Sequence, residues 1–321
     1  MQQRVCTGAV HEPSRTRVLG SSYLRSRVFL ALAFGVIYFG WGSTYLAIRI
    51  AVHTLPPLLM MAVRHTIAGL VLLPFCAPIS VRTLRTVDWS TVVVSASLLF
   101  VGGHGLMSWA MQSADSGTAA LLFATMPMWL VLMQWLPAGK RPEPLTLAGV
   151  AVGFVGVAVL ILPSLTGGTM LDGCAAPWAY LALVAGAMFW AIGSLRSRRR
   201  PPHQDVRLSV ALQLLCGGVL LGLVGAARGE IGHIRPSAVG DESLTALGYL
   251  IVIGSLTGFW AYAWLLRVAQ PTVVGTYAFV NPIVAVVIGR FLGGENLDFR
   301  TVSAGFVIVA GVVITHFSTR R

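Results

Sequence analysis

Two stretches, GHGLMSWAMQSADSGTAALLFATMPMWLVLMQWLPAGK (103–140) and GFWAYAWLLRVAQPTVVGTYAFVNPIVAVVIGRFLGGE (258–295), lie 155 residues apart and share their punctuation. Gly103 falls on Gly258, Trp109 on Trp264, Ala114 on Ala269 and Pro127 on Pro282; further on, Thr146 falls on Thr301. Working outward, a shift of 151 lays Gly42-Ser43 on Gly193-Ser194, and a shift of 149 lays Ala68-Gly69 on Gly217-Gly218 and Arg64 on Gln213. Leu and Ala match by chance between apolar runs, whereas Trp and Pro do so rarely. The chain therefore reads as a duplication.

The unit duplicated is a set of five apolar runs. Such runs lie near 28–49, 58–76, 91–112, 117–136 and 145–162, then 177–195, 207–226, 244–265, 272–292 and 301–317. A helix needs about 20 mainly apolar residues to cross a bilayer. Barrel strands would alternate over about 10 residues, and these runs do not alternate. The expected fold is an all-α integral membrane protein of ten transmembrane helices. Five is odd, so the second copy must insert upside down relative to the first, the inverted repeat common among secondary transporters.

Composition agrees. Hydrophobic residues make up 56% of the 321, charged ones only 11%, and the mean hydropathy is +0.78. A soluble domain carries about 25% charged residues, and disordered chains are poor in apolar ones; both classes are excluded. The net charge of +12 does not point to nucleic acid, because the arginines flank apolar runs and no nucleic-acid motif is present. The four cysteines, Cys6, Cys76, Cys174 and Cys216, form neither a disulfide framework nor zinc spacing. No metal site and no cofactor are expected.

Charge also orients the chain. With the N-terminus inside, 17 basic residues fall on the cytoplasmic side: five in the first 27 residues, then Arg82, Arg85, Lys140, Arg141, Arg196, Arg198, Arg199, Arg200, Arg207, Arg267, Arg320 and Arg321. Five fall outside: Arg49, Arg228, Arg235, Arg290 and Arg300. Cytoplasmic loops are the basic ones, so both termini are expected in the cytoplasm, with 163–176 and 227–243 outside. Residues 1–27 read as a disordered basic tail, 28–163 as the first repeat and 177–317 as the second. The expected location is the inner (plasma) membrane, the partners membrane lipid and a small-molecule substrate. Gly149 and Gly153 form a GxxxG on helix 5, a close-packing face open to either intramolecular use or a homodimer.

The runs WGSTYLAIRIAVHTLPPLLMMAVRHTIAG (41–69), ALLFATMPMW (120–129) and AQPTVVGTYAFVNPIVAVVIGRFLGGE (269–295) resemble EamA-type proteins of the drug/metabolite transporter superfamily. The similarity spans about 28–317. It implies a ten-helix basket with helices 3, 4, 8 and 9 around a central cavity, moving small metabolites, often outward. One departure stands out: Gly294-Glu295 after helix 9 is answered by Gly139-Lys140 after helix 4.

Several residues could carry transport. Pro127 and Pro282 sit mid-span, where proline removes a donor and frees a carbonyl, and are expected as paired hinges. Asn281, one turn from Tyr277, is the favoured substrate donor and acceptor, with a helix–helix hydrogen bond as the alternative. Thr125 precedes Pro127. Tyr38, Trp41 and Tyr45 form one stripe; Thr257, Trp260 and Trp264 form another. Trp41, Trp190 and Trp260 are deep enough to wall a cavity, while Trp109 and Trp264 suit the interfacial belt. Arg64, the one charge inside a span, lies roughly 9 Å in from the outer end of helix 2 at 1.5 Å per residue; it either serves the site or snorkels as an anchor. His65 beside it is expected on a different face. His104 is the other deep titratable group, a functional or a packing histidine.

No Asp or Glu lies deep in any span, which argues against a carboxylate-based proton pump. The expected function is a secondary transporter, an exporter of small polar or amphipathic metabolites such as amino acids, working by alternating access. A lipid-modifying enzyme would want clustered His, Asp or Glu, or a motif such as HExxH, and a channel a filter loop or charged ring; neither is present. A membrane module without transport stays open on sequence alone.

Overall fold

Backbone amides cannot stay unpaired in hydrocarbon, so apolar runs of this length close their hydrogen bonds within themselves as helices. The computed structural model describes residues 28–76, 81–139, 141–165, 176–199 and 205–318; the basic tail, Cys6, Lys140, Cys174 and most of 163–176 lie outside them. Nine helices among the described residues are long and apolar enough to cross a membrane: α1 Val28–Ala51, α2 Pro57–Phe75, α3 Trp89–Ala110, α4 Ser116–Leu136, α5 Pro144–Leu165, α6 Pro177–Ser197, α7 Val206–Ala227, α8 Asp241–Val268 and α10 Phe299–Ser318. Helix α9 is built of two pieces, Pro271–Val274 and Tyr277–Phe291. No boundary departs from its expected place by more than three residues.

Packing follows the duplication. Helix α1 lies against α8 and α9; its mirror mate α6 lies against α3 and α4. The mates α2 and α7 pack on each other, as do α5 and α10. The α5–α10 seam is made by removing side chains. A Cβ on Gly311 would stand 2.6 Å from the Gly153 Cα, and one on Gly149 2.8 Å from the Thr315 nitrogen. Close backbone approach of this kind substitutes for the hydrophobic drive that lipid does not supply. The GxxxG of α5 is thus engaged inside the chain.

Both α4 and α9 end on a left-handed glycine, Gly139 (φ 65°) and Gly294 (φ 64°). At α9 the turn lets the Glu295 amide reach back to the Gly289 carbonyl at 3.0 Å, one residue further than the usual glycine cap closes. That closure swings the Glu295 side chain under the N-terminus of α4. Its carboxylate accepts from the Ser116 and Gly117 amides at 2.8 and 3.1 Å, and pairs with Arg49 of α1 at 2.5 Å. Arg49 also reaches Asp115 at 2.6 Å. A second glutamate, Glu230 beyond α7, accepts from the Leu58 and Leu59 amides that open α2, at 3.1 and 3.0 Å. Each helix start leaves orphan N–H groups and a positive dipole end. Here two are capped by carboxylates from the other repeat.

Candidate functional site

Between the repeats lies a cavity of about 280 Å³, lined by α1, α2, α3, α4, α6, α8 and α9. Three of these helices carry π-helical turns: α1 at Val36–Gly40, α3 at Ser97–Gly105 and α8 at Leu250–Thr257. The α3 and α8 turns overlap under the 155-residue shift, so the distortion itself is duplicated. Such turns recur at functional sites, and nothing in the hydrophobic pattern announced them.

The π turn of α8 faces Arg64. Arg64 is 5% exposed and does not snorkel. Its Nε donates to the Ser255 Oγ at 3.1 Å, and Nη1 has the Met61 sulfur at 3.9 Å. Gly254 makes room: a Cβ there would stand 3.1 Å from the Arg64 Nη2 and 2.8 Å from the Thr44 methyl. The Gly254 carbonyl meanwhile accepts from the Trp41 indole N–H at 3.0 Å. Trp41 is held edge-on by Tyr277, ring centroids 5.2 Å apart, and by Phe259.

His65 refines the sequence expectation. It does take a different face from Arg64, but that face also lines the cavity: His65 meets His104 of α3, with Nε2 and Nδ1 3.0 Å apart. Neighbours on a helix differ by about 100° in direction; both Arg64 and His65 reach the cavity because it sits in the angle between α8 and α3. The His65 Nδ1 is buried and has no hydrogen-bond partner among the described residues. Trp190 of α6 closes the far side of His104, centroids 4.5 Å apart.

Trp41, Tyr45, Arg64, His104, Trp190, Tyr277, Asn281, Pro127 and Pro282 all line the cavity. Two candidates do not. Thr125 is fully buried beside it, its hydroxyl bonded back to the Leu122 carbonyl at 2.6 Å. Trp260 is 50% exposed on the outside of the bundle, edge-on to Phe75. A π turn carries an extra residue, which moves every later side chain off the α-period, so Phe259 and Tyr262 take the place assigned to Trp260. Trp109 stacks on Trp178 under Arg228 near a span end.

The prolines are not equivalent hinges. Pro127 follows a true break at Ala124-Thr125, whereas the helix runs through Pro282 and α9 breaks earlier, at Gly275-Thr276. Thr276 ties that break to the Tyr38 hydroxyl at 2.5 Å. Asn281, with its amide oriented to suit its surroundings, donates to the Tyr277, Tyr38 and Ile37 carbonyls at 3.2–3.3 Å. Two of those carbonyls belong to the π turn of α1. Its donor half is thus spent on the helix contact, and its oxygen is what remains for a ligand. Among the described residues no group of His, Cys, Asp or Glu is placed to hold a metal ion.

The comparisons with known proteins bear on the whole chain. The EamA-like transporter family model matches twice, over residues 27–162 and 177–317. The chain is 33% identical over 296 residues to the uncharacterized inner membrane transporter YedA of Escherichia coli K12, covering 91% of this chain and 93% of that one. It is 25% identical to the uncharacterized transporter YvbV of Bacillus subtilis 168, covering 92% and 93%. A probable amino-acid metabolite efflux pump of Salmonella typhimurium LT2 is 22% identical, covering 91% and 95%. One solved crystal structure shares the fold with a TM-score of 0.61 at 23% identity, covering 91% of this chain and 98% of that one. A doubled five-helix unit matched by the family model in both copies makes the chain a member of the EamA-like transporter family.

Proposed function

We propose that this chain is an alternating-access secondary transporter, exporting small amphipathic metabolites, amino acids among the candidates, across the inner (plasma) membrane. The observation that carries this reading is the cavity itself: it lies between inverted repeats, takes walls from both, and combines a few polar groups with aromatic faces, as small-molecule sites do. The 17-to-5 basic bias supports an orientation with the Glu295 end outside and both termini in the cytoplasm. In that orientation the caps made by Glu295 and Glu230 clamp the outer end across the repeats. The description of the Salmonella relative as an efflux pump supports the outward direction.

Counterflow in proteoliposomes, with a panel of labelled amino acids and metabolites, tests the reading. Saturable exchange of at least one solute is expected, undiminished by a protonophore, because no carboxylate lines the cavity. Inert proteoliposomes across the whole panel, with folded and inserted protein, would overturn it. The orientation is checked by external thiol labelling of Ser237→Cys in a cysteine-free background; labelling only after permeabilisation reverses it.

A further inference from the structure

We propose that the transported solute is an organic anion: a carboxylate that seats on Arg64, attached to a compact aromatic or apolar body. The inference rests on the transporter reading above and gives it a substrate class.

The guanidinium stays charged in any protein setting and offers five N–H donors. Buried charges ordinarily sit beside a counter-charge. Arg64 is buried at the cavity wall, and none of the ion pairs among the described residues includes it. One N–H is used by the Ser255 hydroxyl, and Nη1 has only a thioether, a weak acceptor. The unmet partner is an anion with two oxygens, which a guanidinium binds through parallel hydrogen bonds. Beside it, the buried His65 Nδ1 is a second polar atom without a partner among the described residues.

The same wall argues against other charge classes. No Asp or Glu lines the cavity, so a substrate ammonium would meet no counter-charge, only neutral hydroxyls, the two imidazoles and the Asn281 carbonyl. A cation would also be repelled by Arg64. The rest of the surface is ring: Trp41, Phe123, Trp190, Phe259, Tyr262 and Tyr277. At about 30 Å³ per water in the liquid, 280 Å³ holds the volume of roughly nine waters. That is one aromatic ring with a short acid arm.

An anionic substrate also explains how a cavity without a coupling carboxylate serves export. An inside-negative potential drives a monovalent anion outward by roughly 50-fold in concentration per 100 mV. The arginines at the cytoplasmic ends, Arg196, Arg198, Arg199 and Arg267, draw anions toward that side.

Three probes that share a ring and differ in charge test this: 3-phenylpropionate, L-phenylalanine and phenethylamine, titrated calorimetrically into the purified full chain in nanodiscs. The acid is expected to bind best and the amine not at all. Arg64→Gln should weaken the acid roughly 30-fold or more, the cost of removing one member of a buried charge pair, with Arg64→Lys intermediate. In proteoliposomes, 2-phenylethanesulfonate, a permanent anion that cannot leak as a neutral acid, should accumulate on the positive side of an imposed potential. This wild-type readout stands even where Arg64→Gln does not fold. The anion proposal falls if the amine or phenylalanine matches the acid, if Arg64→Gln binds the acid as wild type does, or if sulfonate flux ignores the potential. It falls alone if none of the probes binds while the metabolite panel still exchanges. An inert panel removes the transporter reading as well.

Discussion

The two ends of the molecule are held by different means. At the Glu295 end, α2 and α4 receive their N-terminal caps from the opposite repeat, through Glu230 and Glu295. At the other end, the described N-terminal caps are local: Asp88 serves the Thr91 amide of its own α3, and Asp205 the Arg207 amide of its own α7; what crosses there is a pair of exposed arginine bonds, Arg207 to the Phe75 carbonyl and Arg196 to the Ser90 hydroxyl, at 3.0 Å each. Caps that cross between repeats resist their separation; caps within a helix do not. The sequence marks this contrast at one point, where Glu295 is answered by Lys140, a side chain with no acceptor to offer an amide.

The mates α2 and α7 differ in the same spirit. Arg64 faces the cavity, whereas its counterpart Gln213 turns to the Ser197 and Ser209 hydroxyls at 3.1 Å each and is fully satisfied there. One position faces the cavity and the other is spent on the fold, although the backbone around them is shared.

Breaking the crossed clamp should have the largest effect. Glu295→Ala uncaps α4 and leaves Arg49 only its pairing with Asp115, and is expected to cost about 3 kcal/mol, the low end for a buried pair because Arg49 is partly exposed and keeps one partner. A fall in thermal unfolding temperature in detergent measures it; a loss no greater than that of Lys140→Ala would erase the contrast between the ends. Next, Arg64→Gln, which copies α7 into α2, is expected to cut transport by roughly 100-fold or less while the unfolding temperature holds. Gln213→Ala should do the reverse, losing about 1–3 kcal/mol of stability by orphaning two serines and leaving substrate affinity alone. Equal effects of the two on affinity would mean the mates are not divided in role.

Smaller effects sharpen the picture. Trp260→Ala should change affinity and stability by less than about 0.5 kcal/mol, as surface substitutions do, whereas Trp41→Ala, which takes a ring out of the cavity wall, should weaken binding by more than that. The smallest effect is expected at Asp88, whose carboxyl is pulled down to about 2, chiefly by the Thr91 hydroxyl and amide and the Ser90 hydroxyl. A depressed carboxyl stabilises above its unfolded value of about 3.9 and loses that contribution as pH falls toward 2. Asp88→Ala should therefore melt slightly earlier at pH 7, with the difference from wild type closing in acid. A difference that persists unchanged at the lowest pH would assign the effect to packing.

The helices were legible because twenty apolar residues in lipid have one backbone solution, and the repeat because Trp and Pro are seldom matched by accident. The site was legible mainly where α-helical spacing held, or where a single titratable group such as His104 stood out in an apolar span. Trp41 and Tyr45 share one regular α-helical stretch that begins after the π turn of α1, and α2 around Arg64 carries no such turn, so their spacing follows the period. Trp260 follows a π turn that no residue pattern betrays, so its assigned face is wrong. His65 was hidden for another reason: that two adjacent directions on one helix both meet the cavity depends on where α3 and α8 stand, a tertiary fact. The crossed caps were invisible as well, since a glutamate in a connecting loop looks the same whether it faces water or a helix start 179 residues away.

The glycine seam between α5 and α10 carries a last consequence. It joins the final helix of one repeat to the final helix of the other, and α2 with α7 forms a second such bond, so the halves carry broad contacts of their own. Two genes, one ending after α5 and one beginning before α6, should therefore yield polypeptides that find each other in the membrane, provided each is inserted in its own orientation. Gly311→Leu, which fills the seam, should abolish that reassembly in the split protein while the unbroken chain still folds.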